Sequence, residues 1–178
     1  MEKNELLDIM LERRSIREYT GDPIPMEKLN AVIEAGLSAP SSRGRRPWEL
    51  IVIRDRQTLI ALSGSRMGSA RMLAGADAAI VVLGDEDLSD VWVEDCSIVM
   101  AHMHLMADSL GLGSCWIQGR NRDARPGQLT TENYIRSFLK FPPNYRILAM
   151  LSLGIPAVRP EARQVEDLPF DKVHINRF

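Results

Sequence analysis

Residues 91–110 carry the longest regular helical pattern in this chain, and they constrain the fold more than any other segment. Apolar side chains recur there at alternating spacings of three and four, which is the repeat of one helix face: Val93, Cys96, Met100, Met103, Ala107 and Leu110. Val99 and Met106 add apolar surface on other faces, so the helix needs partners on more than one side. The pattern predicts a long helix that is central to the fold or lies at a subunit interface.

Shorter stretches of two kinds surround this helix. Strand patterns cover residues 48–53, 77–85, the end of 111–119 and 145–154, and helix patterns cover residues 4–13, 25–37, 55–64 and 130–141. This order predicts an α+β or α/β fold with a small mixed sheet flanked by helices. Residues 1–154 are predicted to form one domain. Residues 155–178 are too poor in apolar groups to fold alone, and are predicted to be an extended arm that packs on the domain or on a partner subunit.

Composition excludes several functional classes. The net charge of -2 gives no general attraction to nucleic acid, and no segment is apolar enough over 18 residues to span a membrane. His102 and His104 point to different sides of a helix, and neither Cys96 nor Cys115 has the spacing of a metal or redox motif. The first ten residues lack an apolar run of signal-peptide length, so we expect no leader peptide there. We therefore expect a cytoplasmic protein without a metal site.

Two segments rich in arginine and serine are the strongest candidates for a binding site. They are "ERRSIREY" at the end of the first helix and "APSSRGRRPW" before the first strand. Guanidinium groups bind phosphate oxygens and flat polar ring edges through paired hydrogen bonds. From the residues alone, such segments could be solvated turns, nucleic-acid contacts or half of a site for an anionic cofactor. No nucleophile elbow or phosphate-binding loop is present, and "GLGSCW" follows a helix, unlike a dinucleotide-binding fingerprint.

Five motifs in order resemble the flavin-dependent nitroreductase family. "RRSIREY" resembles its N-terminal motif, "APSSRGRRPW" its second and "GLGSCWIQG" its third, and "LSLGIP" and "KVHINRF" resemble its later segments. The resemblance covers nearly the whole chain. It implies an α+β fold with a small mixed or antiparallel central sheet, and a homodimer with the long helix at its interface. It also implies FMN as the cofactor, bound between the subunits.

The resemblance also assigns cofactor contacts to particular residues. Contacts to the phosphate and to the polar ring edge fall on Arg13, Arg14, Ser15 and Arg17. Contacts from the other subunit fall on Pro40, Ser41, Ser42 and Gly44. The main-chain N–H of Gln118 is the implied donor to flavin N5, and Trp116, Ile117 and Gly119 line the ring. Arg71 is the candidate cation near N1 and O2, and Arg163 competes with Arg159 for the phosphate.

The family's activity sets the functional expectation. The resemblance implies an oxidoreductase that takes hydride from NADH or NADPH and reduces a small conjugated acceptor, such as a nitroaromatic or a quinone, by a ping-pong mechanism. No side chain is expected to act as a nucleophile. Dehalogenation, dehydrogenation and a non-catalytic flavin-binding role are the alternatives. Two departures, Gly44 and Arg46, stand where the family has Asn and Gln, and Arg46 makes an anionic acceptor plausible.

Overall fold

One four-stranded sheet organises the chain, and the computed structural model describes it within residues 4–178. Its strands are β1 (Trp48–Ile53), β2 (Ala78–Asp85), β3 (Gly113–Gln118) and β6 (Tyr145–Gly154). They lie in the order β1-β2-β6-β3, and every neighbouring pair is antiparallel. The fold is therefore α+β rather than α/β, and the main sheet is antiparallel. A single parallel bridge, Ser15 to Ser114, adds the N-terminal segment to the outer edge of β3.

Within the described residues, five α-helices surround the sheet close to the predicted positions: α1 (Glu5–Glu12), α2 (Met26–Leu37), α3 (Arg56–Leu62), α4 (Trp92–Ser109) and α5 (Thr131–Leu139). Three of them begin at a side chain that accepts a main-chain N–H: Asn4, Asp55 and Thr130. A small hairpin of β4 (Asp123–Arg125) and β5 (Leu129–Thr130) was not predicted, because its strands are too short to show a pattern.

Alternating side chains of the central strands divide the core into two layers. Ile80 and Val82 of β2 face α4 and α2, whereas Val81 and Leu83 face α3 and α5. The strands β2 and β6 are buried on both faces, which explains their nearly continuous apolar sequences. Helix α4 packs on the sheet and on α2, where Gly36 brings the backbone of α2 close to the Met103 side chain. The long helix is thus central, as its apolar pattern predicted.

The segment after α1 lies along the open edge of β3. The Ile16 N–H donates to the Ser114 carbonyl over 2.9 Å. Gly113 permits this close approach, because a Cβ there would lie 2.8 Å from the Ile16 side chain. Tyr19 then crosses the end of β6, and a Cβ on Gly154 would lie 2.5 Å from the Tyr19 ring. The two glycines therefore hold the N-terminal segment against the sheet.

The last 24 residues, 155–178, contain no α-helix and no strand of the main sheet. The first part of the arm returns along the N-terminal segment, with Ala157 N–H donating to the Glu18 carbonyl and Arg163 N–H to the Leu11 carbonyl. Beyond it, two short 3-10 turns occur, and several apolar side chains stay exposed: Phe170, Val173, Ile175 and Phe178. The extended form matches the prediction, and the division into a domain and an arm stays a prediction.

Candidate active site

An arginine-lined cleft forms where α1 ends and the arm returns. Its wall comprises Arg13, Arg14, Ser15, Arg17, Pro160 and Arg163, and its volume is about 290 Å³. We call it the arginine cleft. Arg13 is the residue at which α1 ends, and the Ser15–Ser114 bridge fixes the segment that follows. The main-chain bond from Arg163 to Leu11 brings the arm to the same place. The structure thus places Arg163, from the distant arm, beside three arginines that are close together near the N-terminus.

The positive charges of this cleft are not neutralised within the chain. Among residues 4–178, no ion pair involves Arg13, Arg14, Arg17 or Arg163. The pKa of Arg13 is lowered from its ordinary value, first by burial and then by the like charge of Arg163. Asp108 offsets this only in part. A cluster of unpaired guanidinium groups favours a bound anion with several oxygens, such as a phosphate monoester.

Arg159 and Arg163, the two candidates for the phosphate contact, are placed differently. Its guanidinium donates to the buried Asp108 carboxylate over 3.1 Å and to the Leu112 carbonyl over 3.4 Å. Arg159 is therefore engaged inside the protein, although its side chain remains 41% exposed. Arg163 lines the arginine cleft instead. This arrangement favours Arg163 as the residue available to an anion.

The outer edge of β3 continues from the arginine cleft and presents unpaired main-chain groups. The Ser114 carbonyl points outward to Ile16, whereas Gly119 N–H points inward to the Leu148 carbonyl of β6. Because main-chain groups alternate along an antiparallel strand, the N–H groups of Trp116 and Gln118 point outward with Ser114. The Gln118 N–H is consequently placed at the open edge. This is the orientation that a main-chain donor to a bound ring requires.

Side chains along β3 divide between this edge region and the core. The Trp116 Nε1–H donates to Gln118 Oε1 over 2.8 Å, and the Trp116 ring is parallel to the His104 ring at 6.4 Å. The Ile117 side chain is fully buried on the α3 and α5 side of the sheet. Any contribution of Ile117 to a ring site therefore comes from its main chain. Gly119 is buried too, and a Cβ there would lie 2.9 Å from Ile147.

A second cleft adjoins the arginine cleft through Arg17. It has a volume of about 460 Å³, and Arg17 and Arg71 both line it together with Tyr19 and Met72. The Tyr19 hydroxyl is fixed by Ser152 Oγ at 2.7 Å and by the Ile16 carbonyl at 3.0 Å. The structure therefore brings Arg71 to the same side of the molecule as the N-terminal motif. A second cation beside Arg17 suits a polar ring edge that becomes negatively charged.

Residues 40–46, which we call the basic loop, lie elsewhere in the chain. The loop is anchored at the beginning of α4, where the Ser42 N–H donates to the Asp95 carboxylate over 2.8 Å. Asp95 is 3% exposed and also accepts from the Ser89 hydroxyl. The Ser41 hydroxyl in turn accepts from the Arg46 N–H over 2.8 Å. Pro40, Ser41, Ser42 and Gly44 are therefore held in a fixed turn at the surface.

The basic loop and the arginine cleft diverge within one chain. The loop precedes β1 at one edge of the sheet, and the cleft lies beside β3 at the other edge, a separation of ~14 Å at ~4.8 Å per strand. Along α4, their neighbours Asp95 and Asp108 are ~20 Å apart at ~1.5 Å per residue. The basic loop and the arginine cleft therefore lie in different regions of the chain.

His104 and Asp95 are functional candidates that the sequence did not single out. Burial, and then the charge of Arg13, lower the pKa of His104 to about 4, and its Nδ1 lies 2.8 Å from Ser114 Oγ. His104 is therefore neutral and supports β3 beside the arginine cleft. Asp95 looks like one of many acidic residues near the start of a helix, so only the fold reveals it as the anchor of the basic loop.

Metal binding, membrane crossing and cysteine reactivity can each be assessed for the residues that the structure describes. Residues 4–178 contain no group of three or more His, Cys, Asp or Glu side chains that could hold a metal ion. In the same range, no helix combines the length and apolar character needed to cross a membrane. Cys96 and Cys115 are buried free thiols. Burial raises the pKa of Cys96 to about 12 and that of Cys115 above its ordinary value, so neither is an activated nucleophile.

Comparisons with known proteins agree on one family. The nitroreductase family model matches residues 10–69 and 58–155. A protein of Archaeoglobus fulgidus with the provisional name NADH dehydrogenase/NAD(P)H nitroreductase is 35% identical, over 98% of this chain and 99% of that protein. The NADPH-flavin oxidoreductase of Vibrio harveyi is 26% identical, over 90% of this chain and 69% of that protein.

A solved structure extends this agreement to three dimensions. The FMN-dependent nitroreductase of Clostridium difficile R20291 matches with a TM-score of 0.94 and 42% sequence identity, over 97% of this chain and 99% of that chain. The order of helices and strands, the arginine cleft and the open edge of β3 thus occur in a chain whose relatives match it almost from end to end. The chain belongs to the nitroreductase family.

Proposed function

We propose that this chain is an NAD(P)H-dependent FMN oxidoreductase that works as a homodimer and reduces a small conjugated acceptor. The observation that carries the proposal is the continuity of the arginine cleft with the open edge of β3. The first supplies unpaired cations for a phosphate, and the second supplies main-chain donors for a ring. The names of the relatives from Clostridium difficile and Vibrio harveyi support the same cofactor and donor.

The residues present fit FMN at both of its ends. Arg13, Arg14 and Arg163 would hold the phosphate, with the Ser15 hydroxyl as a further contact. Arg17 and Arg71 line the adjoining cleft, where they would meet the polar edge of the ring. The Gln118 N–H at the edge of β3 would donate to N5, and Trp116 and Gly119 would form part of the ring site. The guanidinium groups of Arg13, Arg14 and Arg163 have no carboxylate partner among the described residues.

Bound FMN would supply the redox chemistry between NAD(P)H and the acceptor. The chain's own residues would bind the FMN, orient its ring and tune its reactivity. Positive charge from Arg17 and Arg71 would stabilise negative charge on the ring edge, and the Gln118 N–H would fix the ring position. His104 stays neutral, and its ring lies parallel to the Trp116 ring on the α4 side of β3. Because one open cleft serves both the donor and the acceptor, we expect ping-pong kinetics.

The separation of the basic loop from the arginine cleft supports the homodimer. Because the loop and the cleft of one chain lie at opposite edges of the sheet, we assign the loop to the partner's cofactor. Exposed apolar side chains support an interface, including Ile98 of α4 and Leu37 of α2, and others lie on the arm. We place the protein in the cytoplasm, where NAD(P)H is available and free thiols persist.

A mixed-dimer experiment tests the proposed site directly. One variant, Arg13→Ala with Arg163→Ala, damages the arginine cleft, and the other, Ser42→Pro, removes the N–H that anchors the basic loop. Each homodimer should lose NADH oxidation with a quinone acceptor. Mixed dimers contain one site with both defects and one intact site, so co-expression should restore about a quarter of the wild-type activity. Isolated mixed dimers without recovered activity would contradict the shared site.

The half-reactions test the enzymatic part of the proposal. Anaerobic NADH or NADPH should bleach the flavin absorbance of the purified protein, and a nitroaromatic or quinone should restore it. A protein that binds FMN but is reduced by neither nucleotide would instead support the non-catalytic alternative. Rapid reoxidation by a halogenated aromatic but not by quinones would favour the dehalogenation alternative.

A further inference from the structure

The basic loop carries more positive charge than its anchoring role needs. Arg43, Arg45 and Arg46 fall within four residues and are all exposed. Only Arg45 has a protein partner for its guanidinium in the described part of the chain, the Leu88 carbonyl at 2.8 Å. Neither Arg43 nor Arg46 forms an ion pair with any carboxylate of residues 4–178. Two guanidinium groups are thus available to a ligand.

The backbone fixes the points from which these two side chains project. Arg43 has φ 53° and Arg46 has φ 49°, with Gly44 at φ 66° between them. The left-handed conformation costs a non-glycine residue about 1 kcal/mol, and hydrogen bonds within the loop hold it. The Ser41 carbonyl accepts from the Gly44 N–H over 3.0 Å, and the Ser42 carbonyl accepts from Arg45 over 3.1 Å. The buried Asp95 carboxylate ties this turn to α4.

We propose that Arg43 and Arg46 of the basic loop select electron acceptors that carry a negative group, such as a carboxylate or a sulfonate. The inference rests on the proposed function, in which the basic loop borders the partner's FMN site. The phosphate of FMN has its own cations in the arginine cleft, so the loop arginines are free for another anion. Gly44 has nothing within 4 Å of a Cβ position, which leaves space between them.

The guanidinium groups of Arg43 and Arg46 suit the carboxylate of an aromatic acid. Guanidinium groups bind carboxylates through paired hydrogen bonds, and exposed cations also raise the rate at which anions arrive. Both effects weaken as salt screens the charges. The acidic segment of residues 85–90 lies near the loop, since Arg45 donates to the Leu88 carbonyl, but none of its carboxylates forms an ion pair with Arg43 or Arg46 among the described residues. The preference should therefore appear with anionic acceptors at low ionic strength.

A matched pair of acceptors tests the inference. The probes are 4-nitrobenzoate and neutral 4-nitrobenzamide, and the quantity is the ratio of their kcat/KM values. All proteins are loaded with FMN. Relative to the wild-type protein, we expect the double variant R43Q/R46Q to lower this ratio about 10-fold, and each single variant to lower it about 3-fold. The control is Arg56→Gln, which removes the same charge after the opposite end of β1 and should leave the ratio unchanged.

Equilibrium binding gives a readout that does not depend on turnover. Benzoate, which cannot be reduced, should perturb the flavin spectrum of the wild-type protein, and the double variant should raise its Kd about 10-fold. Raising the ionic strength from 10 to 150 mM should shrink the difference, as salt screens the loop charges.

Three results would overturn the inference. An unchanged acceptor ratio in a double variant that still reduces both compounds would refute anion selection and leave the proposed function intact. A rise in KM for NADPH but not NADH, with the acceptor ratio unchanged, would show that the loop binds the 2′-phosphate of the donor instead. A wild-type protein that binds FMN but whose flavin is reduced by neither NADH nor NADPH would refute the proposed function, and the acceptor inference with it.

Discussion

Mild acid should lower the free energy of unfolding of this protein, because one buried histidine resists protonation. His104 lies on α4 behind β3, where burial and the charge of Arg13 lower its pKa from 6.5 to about 4. Above pH 6.5, both the folded and the unfolded chain hold this imidazole neutral, and the stability that depends on it is fully present. As the pH falls from 6.5 towards 4, the unfolded chain takes up a proton that the folded chain refuses. The free energy of unfolding therefore declines across this window.

The size of the effect follows from the pKa difference. At about 1.4 kcal/mol per pH unit, the loss is about 3 kcal/mol at pH 4 and about 2.5 kcal/mol at pH 4.5. His104→Asn removes the titration and keeps a polar group that can pair with Ser114 Oγ. The wild-type protein should therefore lose about 2.5 kcal/mol more than the variant between pH 7 and pH 4.5.

Urea unfolding followed by far-UV circular dichroism measures this difference, with FMN at the same excess in every sample. Carboxylates also titrate in this range, but they are shared by both proteins and cancel in the comparison. If the wild-type protein and His104→Asn lose equal stability between the two pH values, the buried and neutral state of His104 is wrong.

Three further outcomes follow from the packing. Gly154→Ala should cost about 1 to 3 kcal/mol in urea unfolding, because its Cβ would meet the tyrosine ring that crosses it. Gly75→Ala, whose Cβ would make only an ordinary contact with the Met72 carbonyl at 3.8 Å, should cost less than about 1 kcal/mol. Arg163→Gln should raise the Kd for FMN about 10-fold in calorimetry. Arg159→Gln should instead lower the free energy of unfolding by about 1 to 3 kcal/mol, because the buried Asp108 carboxylate would lose its charged partner. Gln118→Pro, which removes the main-chain donor, should slow flavin reduction by NADH about 100-fold in stopped-flow assays, and Gln118→Ala should slow it far less.

The sequence predicts most of the fold, because its periodic patterns are long and clear. The strands at 48–53 and 145–154 and the helix at α4 occur where their apolar repeats place them. The strand order does not follow from these patterns, since nothing local says that β6 inserts between β2 and β3. The choice between a mixed and an antiparallel sheet likewise depends on contacts between distant residues.

The candidate site shows the same division. Motif resemblance identified the arginines, and the structure adds that Arg13 and Arg163 share one cleft although 150 residues separate them. It also distinguishes Arg163 from Arg159 through Asp108, a buried partner that no local pattern marks. His104 was considered only as a metal ligand and excluded, because its role depends on burial against Trp116. Burial and long-range contacts are properties of the fold and are invisible in a local pattern.

Titration of the purified, flavin-free chain with FMN tests the central claim most directly. Isothermal calorimetry with parallel absorbance spectra should give one FMN per chain with a micromolar or lower Kd, and light scattering should show a dimer. Arg13→Ala with Arg163→Ala should abolish this binding while circular dichroism shows an intact fold. A folded wild-type chain that binds no FMN, or that binds it equally well without the two arginines, would contradict the account.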